Sequence, residues 1–265
     1  KYYSWVLYDW ANSAYATIVL AGFFPIIFAE YFAETLGDAE RTLFLGISNS
    51  TASIILIFIA PLFGLLSDRF SNKKLFLIIF ALISIISTLI LSVISANSYV
   101  LASIFFSISL LGFMMSNVFY DSMLLNFESK KYDSISSMGY AVGYLGGGLA
   151  FVLSLLFLYY QDQSSLELVS SKKIVFIFAA IWWLIFMLPL FVFWTEDKKV
   201  SKSTSVIATF REIKFNKIIF YFLIAYWVYI DGVDTIIRMA INYGLTIGFD
   251  STNLLIALLV TQFVA

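Results

Sequence analysis

The 265-residue sequence contains no cysteine and no histidine. Without thiols it forms no disulfide framework and offers no thiolate, and without imidazole it lacks the usual general base near neutral pH and the commonest zinc or haem ligand. These gaps remove most membrane-embedded enzyme mechanisms. No nucleophile elbow points to a hydrolase and no repeated filter-like loop to a channel, so a non-enzyme without cofactor is expected. Charge is also scarce, at 12% of residues and a net −1, with the basic residues confined to short loops; no nucleic-acid partner is expected. Only three prolines occur, Pro25, Pro61 and Pro189. All lie inside apolar runs, where neighbouring helices can satisfy the freed carbonyls, and they predict kinks. The first apolar segment lacks the short core and small-residue cleavage site of a secretory signal. A chain that opens on Lys1 rather than Met is expected to be trimmed.

What is present is overwhelmingly apolar: 61% hydrophobic and 19% aromatic residues, with a mean hydropathy of +0.93. That composition predicts an all-α integral membrane protein with lipid around it. A bilayer core of about 30 Å needs about 20 apolar residues per helix. Such runs lie at about Trp5–Ala33, Thr42–Leu66, Leu75–Ala96, Tyr99–Phe127, Ile135–Tyr159, Ile174–Trp194 and Ile218–Gly244. An eighth begins near Leu254 and reaches Ala265 at about half the length of a crossing, so the C-terminus is expected to be incomplete.

Basic residues fall in alternate loops: Arg69, Lys73 and Lys74; Lys130 and Lys131; then Lys198, Lys199, Lys202, Arg211, Lys214 and Lys217. The opposite loops hold only Arg41, Lys172 and Lys173, so the first span is expected to run from inside to outside. The longest polar connection, Thr195 to Lys217, divides the chain into a bundle at 1–194, a cytoplasmic linker at 195–217 and the first helices of a second bundle at 218–265. Within the linker, Val206 to Phe215 suits a short amphipathic helix on the membrane surface.

Charges inside the hydrocarbon are costly and mark functional candidates. The seventh run holds Asp231, Asp234 and Arg238. Asp234 and Arg238 are four apart and can neutralise each other. Asp231, one turn earlier and near mid-membrane, has no partner on its own helix and is the leading candidate for a substrate amine or a proton. In the first run Asp9, Asn12, Ser13 and Thr17 share one stripe and are expected to line a cavity. Trp5, Tyr8 and Trp10 read as an interfacial aromatic belt. In the fourth run Asn117, Tyr120 and Asp121 repeat the polar pattern near the cytoplasmic end, where Asp121 is placed to pair with Arg69. Gly139, Gly143, Gly146, Gly147 and Gly148 interleave with Tyr140 and Tyr144; the glycine spacing reads as close helix packing, and Tyr144 joins Asp9, Asn12 and Ser13 as a substrate or proton candidate.

Gly64 to Lys74, G-L-L-S-D-R-F-S-N-K-K, joins two apolar runs by a tight charged turn. The positions of Gly64, Asp68, Arg69, Lys73 and Lys74 resemble the signature loop of the major facilitator superfamily. The resemblance implies that the glycine lets helices approach and the charges latch the cytoplasmic face. Asn72 stands where that family has a second glycine, a mild change because Asn also tolerates a left-handed backbone. Three further stretches, S-W-V-L-Y-D-W-A-N-S-A-Y-A-T at Ser4 to Thr17, G-Y-A-V-G-Y-L-G-G-G at Gly139 to Gly148 and Y-I-D-G-V-D-T at Tyr229 to Thr235, resemble the vacuole effluxer family. Its fungal members are autophagy-linked exporters of amino acids from the vacuole.

The resemblance implies a major facilitator-like helical bundle of two halves with substrate between them, and about four more helices beyond this chain. It implies a secondary transporter of a small polar solute such as an amino acid, working by alternating access with protons as the candidate coupling ion, and a monomer is expected. A sugar, nucleoside or drug carrier and a non-transporting receptor or scaffold are the alternatives. The Lys-, Ile- and Phe-heavy composition with short loops points to a prokaryotic cell membrane rather than a vacuole.

Overall fold

The computed structural model describes residues 1–70, 72–162, 172–196, 211 and 213–264. Among them are seven helices long and apolar enough to cross a membrane, and a shorter apolar eighth. They are α1 (Tyr2–Phe32), α2 (Asp38–Phe70), α3 (Lys73–Val93), α4 (Tyr99–Met123), α5 (Tyr132–Asp162), α6 (Ile174–Phe193), α7 (Lys217–Thr246) and α8 (Ser251–Val264). The expected spans are therefore present, with ends shifted by a few residues. The chain is a multi-pass membrane protein. The proposed surface helix at Val206 to Phe215 falls mostly outside the described residues.

Helix α1 is the axis of the bundle. It packs along α5 and α6 and meets α7 and α8 with its middle. Its sequence explains this position, because aromatic and small residues alternate on every face rather than on one. Trp5, Tyr8, Tyr15, Phe23, Phe24, Phe28 and Phe32 are all buried. Trp5 stacks on Tyr120 at 4.3 Å, Phe24 stacks on Phe106 at 3.7 Å, and Trp10 stacks on Trp182 at 5.9 Å. The expected interfacial belt is thus corrected: Trp5 and Tyr8 are 3% and 0% exposed inside the protein. Belt and core aromatics have the same composition, and only the partner helices distinguish them.

Two stretches of α1, Tyr15–Phe23 and Phe28–Phe32, are π-helical and flank an α-helical turn that contains Pro25. Proline has no N–H to continue the ladder, and the wider turns on both sides let the helix run on through it. Such wide turns are frequent at functional sites. Pro61 and Pro189 sit within α2 and α6, and both helices continue past them.

The glycines of α5 allow α1 to approach closely. A Cβ at Gly139 would stand 2.8 Å from the Trp5 ring, and one at Gly146 would meet Trp10. At Gly143 it would lie 3.0 Å from the Asp9 carboxylate and the Ser13 hydroxyl, and at Gly147 it would press on Thr17. Small residues thus seat the polar stripe of α1 directly against α5.

Between α3 and α4, Gly112 lies against the backbone of Phe80 and Ser84. There Ser84 donates to the Ser109 carbonyl at 2.7 Å, the Thr88 and Ser109 hydroxyls share a bond of 2.8 Å, and the Ser109 hydroxyl donates to Tyr15 Oη at 3.0 Å. This buried knot joins α1, α3 and α4. At the end away from the basic loops, Lys172 binds Glu30 at 2.6 Å, and Lys173 donates to Tyr31 Oη and the Ile94 carbonyl. Arg41 binds Asp38 at 3.2 Å and donates to the Ala33 and Glu34 carbonyls. All three basic residues of that side are thereby held in place.

Candidate functional site

The polar stripe of α1 opens onto two cavities. The smaller, about 180 Å³, lies near the basic-loop end and is lined by Asp9, Asn12, Ser13, Asn117, Tyr120 and Asp121, with Trp5, Ala16, Phe113, Leu124, Ser136 and Tyr140 completing the wall. Asn12 Nδ2 donates to Asn117 Oδ1 at 2.6 Å, and Trp5 Nε1 donates to the Tyr120 carbonyl at 3.1 Å. These bonds fix α1 against α4 and hold the two carboxylate-bearing turns at one cavity.

The larger cavity, about 470 Å³, begins at the same residues and continues toward the opposite side. Asp9, Ser13, Thr17, Tyr140 and Tyr144 line one wall; Ile236, Ile237, Ala240 and Ile241 of α7, with Leu254, Leu258, Thr261 and Gln262 of α8, line the other. Gln262 Nε2 donates to the Tyr144 carbonyl at 3.1 Å and ties α8 to α5. The space is mostly apolar with a few convergent polar groups, and its volume is that of a small-molecule site. Among the described residues neither cavity is lined by Lys or Arg.

The structure brings Asp9, Asn12, Ser13 and Tyr144 to these cavities and leaves the charged turn of α7 apart from them. Arg238 binds Asp234 at 2.9 Å, as the four-residue spacing predicts, and also donates to Ser53 Oγ at 3.3 Å. Asp231 is exposed, lines neither cavity and has no partner among the described residues. The pairing expected between Asp121 and Arg69 is not made: Asp121 faces the smaller cavity, and Arg69 is exposed at the end of α2.

The signature loop uses other contacts. Asp68 meets Lys73 at 3.8 Å, and Lys73 Nζ reaches the Ser122 carbonyl at 3.4 Å. Lys74 is clamped to the segment after α6: its backbone N–H donates to Glu196 Oε1 at 2.5 Å and its Nζ to the Trp194 carbonyl at 2.9 Å. Glu196 lies outside the spans; burial raises its carboxyl above the ordinary range, opposed by the Lys74 N–H and the Lys73 and Lys74 charges. Gly64 has open space where a Cβ would stand, so no close helix approach requires it here. Asn72, at φ −140°, is not left-handed; it caps α3 by accepting the Leu75 N–H at 3.2 Å. Sequence reasoning missed this cap, although Asn before a helical run is its usual signal.

Comparison with known proteins agrees with this architecture. The family model described as "Vacuole effluxer Atg22 like" matches residues 1–131 and 126–265. The chain therefore belongs to the Atg22-like vacuole effluxer family, within the major facilitator superfamily. It is 33% identical to an uncharacterized MFS-type transporter, YxiO, of Bacillus subtilis, over 99% of this chain and 64% of that protein. The crystal structure of a D-xylose-proton symporter shares the fold, with a TM-score of 0.68 at 16% identity over 99% of this chain and 65% of that one. The chain thus spans about two thirds of the length of the proteins it matches.

Proposed function

We propose that the protein is a secondary transporter of small neutral amino acids, working by alternating access around the cavity between α1 and α5 on one side and α7 and α8 on the other. The observation that carries this reading is that cavity itself: it lies between the first bundle and the helices that follow the linker, and it combines apolar walls with the Asp9, Ser13, Thr17 and Gln262 polar groups. Apolar walls accommodate an aliphatic side chain, while the polar groups suit an ammonium and carboxylate head. The effluxer description of the matching family supports the same reading. Nothing in this arrangement calls for enzymatic chemistry.

Asymmetric contact along α7 supports an inward-facing state. Its outer half meets the first bundle through Arg238 to Ser53, Met239 to Asn49, and Asn242 Nδ2 to Thr42 Oγ1 at 2.9 Å. Its first half, from Lys217 to Tyr229, is exposed at every residue. Asp231 stands at the transition between the two, and we assign it contact with the solute ammonium as the solute enters from the inner side.

The test is counterflow of radiolabelled leucine by the full-length protein in proteoliposomes. Wild type is expected to exchange leucine, and Asp231→Asn to lose at least 10-fold in rate while keeping its elution profile. Undiminished exchange by Asp231→Asn removes that residue from the solute path, and no exchange by wild type contradicts the amino-acid assignment.

A further inference from the structure

A third cavity, of about 370 Å³, lies at the end of the bundle away from the basic loops and shares no lining residue with the other two. Its wall comes from both sides of the outer contact: Glu30 of α1 and Glu34 just after it, Asp38 and Arg41 of α2, and Asn242 and Thr246 of α7. The cations there are already committed. Arg41 bonds to Asp38 and to the Ala33 and Glu34 carbonyls, and Lys172 takes Glu30 at 2.6 Å. The Glu34 carboxylate is left without a partner among the described residues. A second feature, across the contact, points to an occupant with N–H donors. Asn242 is 4% exposed and its Nδ2 donates to Thr42 Oγ1 at 2.9 Å, while its Oδ1 is accessible and accepts no hydrogen bond among the described residues. Polar groups in so buried a side chain are normally bonded, so a donor in the cavity is favoured.

We propose that this outer cavity binds a small primary ammonium ion, a short-chain alkylamine in its protonated form, with its charge facing Glu34 and an N–H donated to Asn242 Oδ1. Ala29 and Leu245 give the carbon chain an apolar wall, and the volume is that of a small-molecule site. A carboxylate is disfavoured, because Arg41 is the one lining cation and Asp38 holds it. The ligand therefore differs from a zwitterionic solute. A metal ion is disfavoured as well: among the described residues no group of three or more carboxylates is placed to hold one. The effect of the ligand rests on the transport reading above. An occupant that touches α2 and α7 together favours the arrangement in which they meet, whereas alternating access requires them to part. Binding is thus inhibitory.

The experiment is a protection assay on the full-length protein in lipid nanodiscs, freed of any other cysteine. Thr246→Cys places one thiol at the exposed cavity wall. Saturating n-butylammonium is expected to slow its reaction with a neutral maleimide by about 10-fold. Tetramethylammonium, of the same charge but without N–H, is expected to give no protection. Adding Glu34→Gln, at an exposed position that the fold tolerates, is expected to remove the protection by n-butylammonium. Glu40→Gln, at an exposed carboxylate of α2 outside the cavity, is expected to leave it unchanged. Equal rates with and without n-butylammonium, equal protection by tetramethylammonium, protection that survives Glu34→Gln, or loss of protection in Glu40→Gln would each overturn the proposal. In leucine exchange, n-butylammonium added outside is expected to slow wild type and to leave Glu34→Gln unaffected; unslowed exchange by wild type overturns the inhibitory effect. Protection is measured without leucine, so a failure of wild type to exchange leucine contradicts the transport reading alone.

Discussion

Single residues of α1, α4 and α5 are arranged so that polarity is enclosed rather than exposed to lipid. Ser109 is the clearest case. Its hydroxyl sits among Tyr15, Ser84 and Thr88 from α1 and α3, all buried. Ser109→Ala removes a donor from Tyr15 Oη and a partner from Thr88, and the loss of buried hydrogen bonding is expected to destabilise the protein by about 1–3 kcal/mol. Thermal unfolding in detergent measures it; an unchanged midpoint contradicts the role of the knot. Little of this was legible in the sequence. Serine and threonine are common in membrane helices at low cost, so their spacing does not distinguish a structural knot from a tolerated hydroxyl. The carboxylates of Asp9 and Asp121 were visible because charge in an apolar run is rare. Their shared cavity was not, because it depends on the register of α1 against α4.

Elements were legible where physics acts on whole runs. Spans of about 20 apolar residues follow from bilayer thickness alone, and the Asp234–Arg238 pair follows from helical spacing. The π-helical turns flanking Pro25 do not, since a π turn needs no distinctive residue and arises from how α1 fits its neighbours. The signature loop was recognised, yet its contacts differ from those expected: Lys74 holds the segment after α6 through Glu196 and Trp194. That clamp has a pH dependence. A carboxyl raised by burial favours the fold while protonated, so its contribution is present below the ordinary carboxylate range and fades as pH rises through the raised value. Glu196→Gln is expected to flatten this part of the profile of unfolding temperature against pH. A slope equal to that of wild type would show that Glu196 does not set it.

At the scale of the molecule, α7 bonds to α2 through its second half, and α8 packs on α1 and α5. Asn242 with Thr42 and Arg238 with Ser53 join the second half of α7 to α2. Alternating access requires that this outer contact open during the cycle. With no native cysteine in this sequence, the pair Thr42→Cys and Asn242→Cys provides a lock. Oxidation is expected to stop leucine exchange and reduction to restore it; full exchange by the oxidised protein contradicts a moving outer contact. The fold and the two-sided cavity thus carry the functional reading, and the polar stripe of α1 links them.

The measurement that bears most directly on this account is uptake by the full-length protein of a panel of neutral amino acids, sugars and nucleosides in proteoliposomes. Accumulation of neutral amino acids, with leucine among them, and none of sugars or nucleosides is the predicted result. Accumulation of a sugar or nucleoside without any amino acid, or transport of nothing in the panel by folded protein, would contradict it.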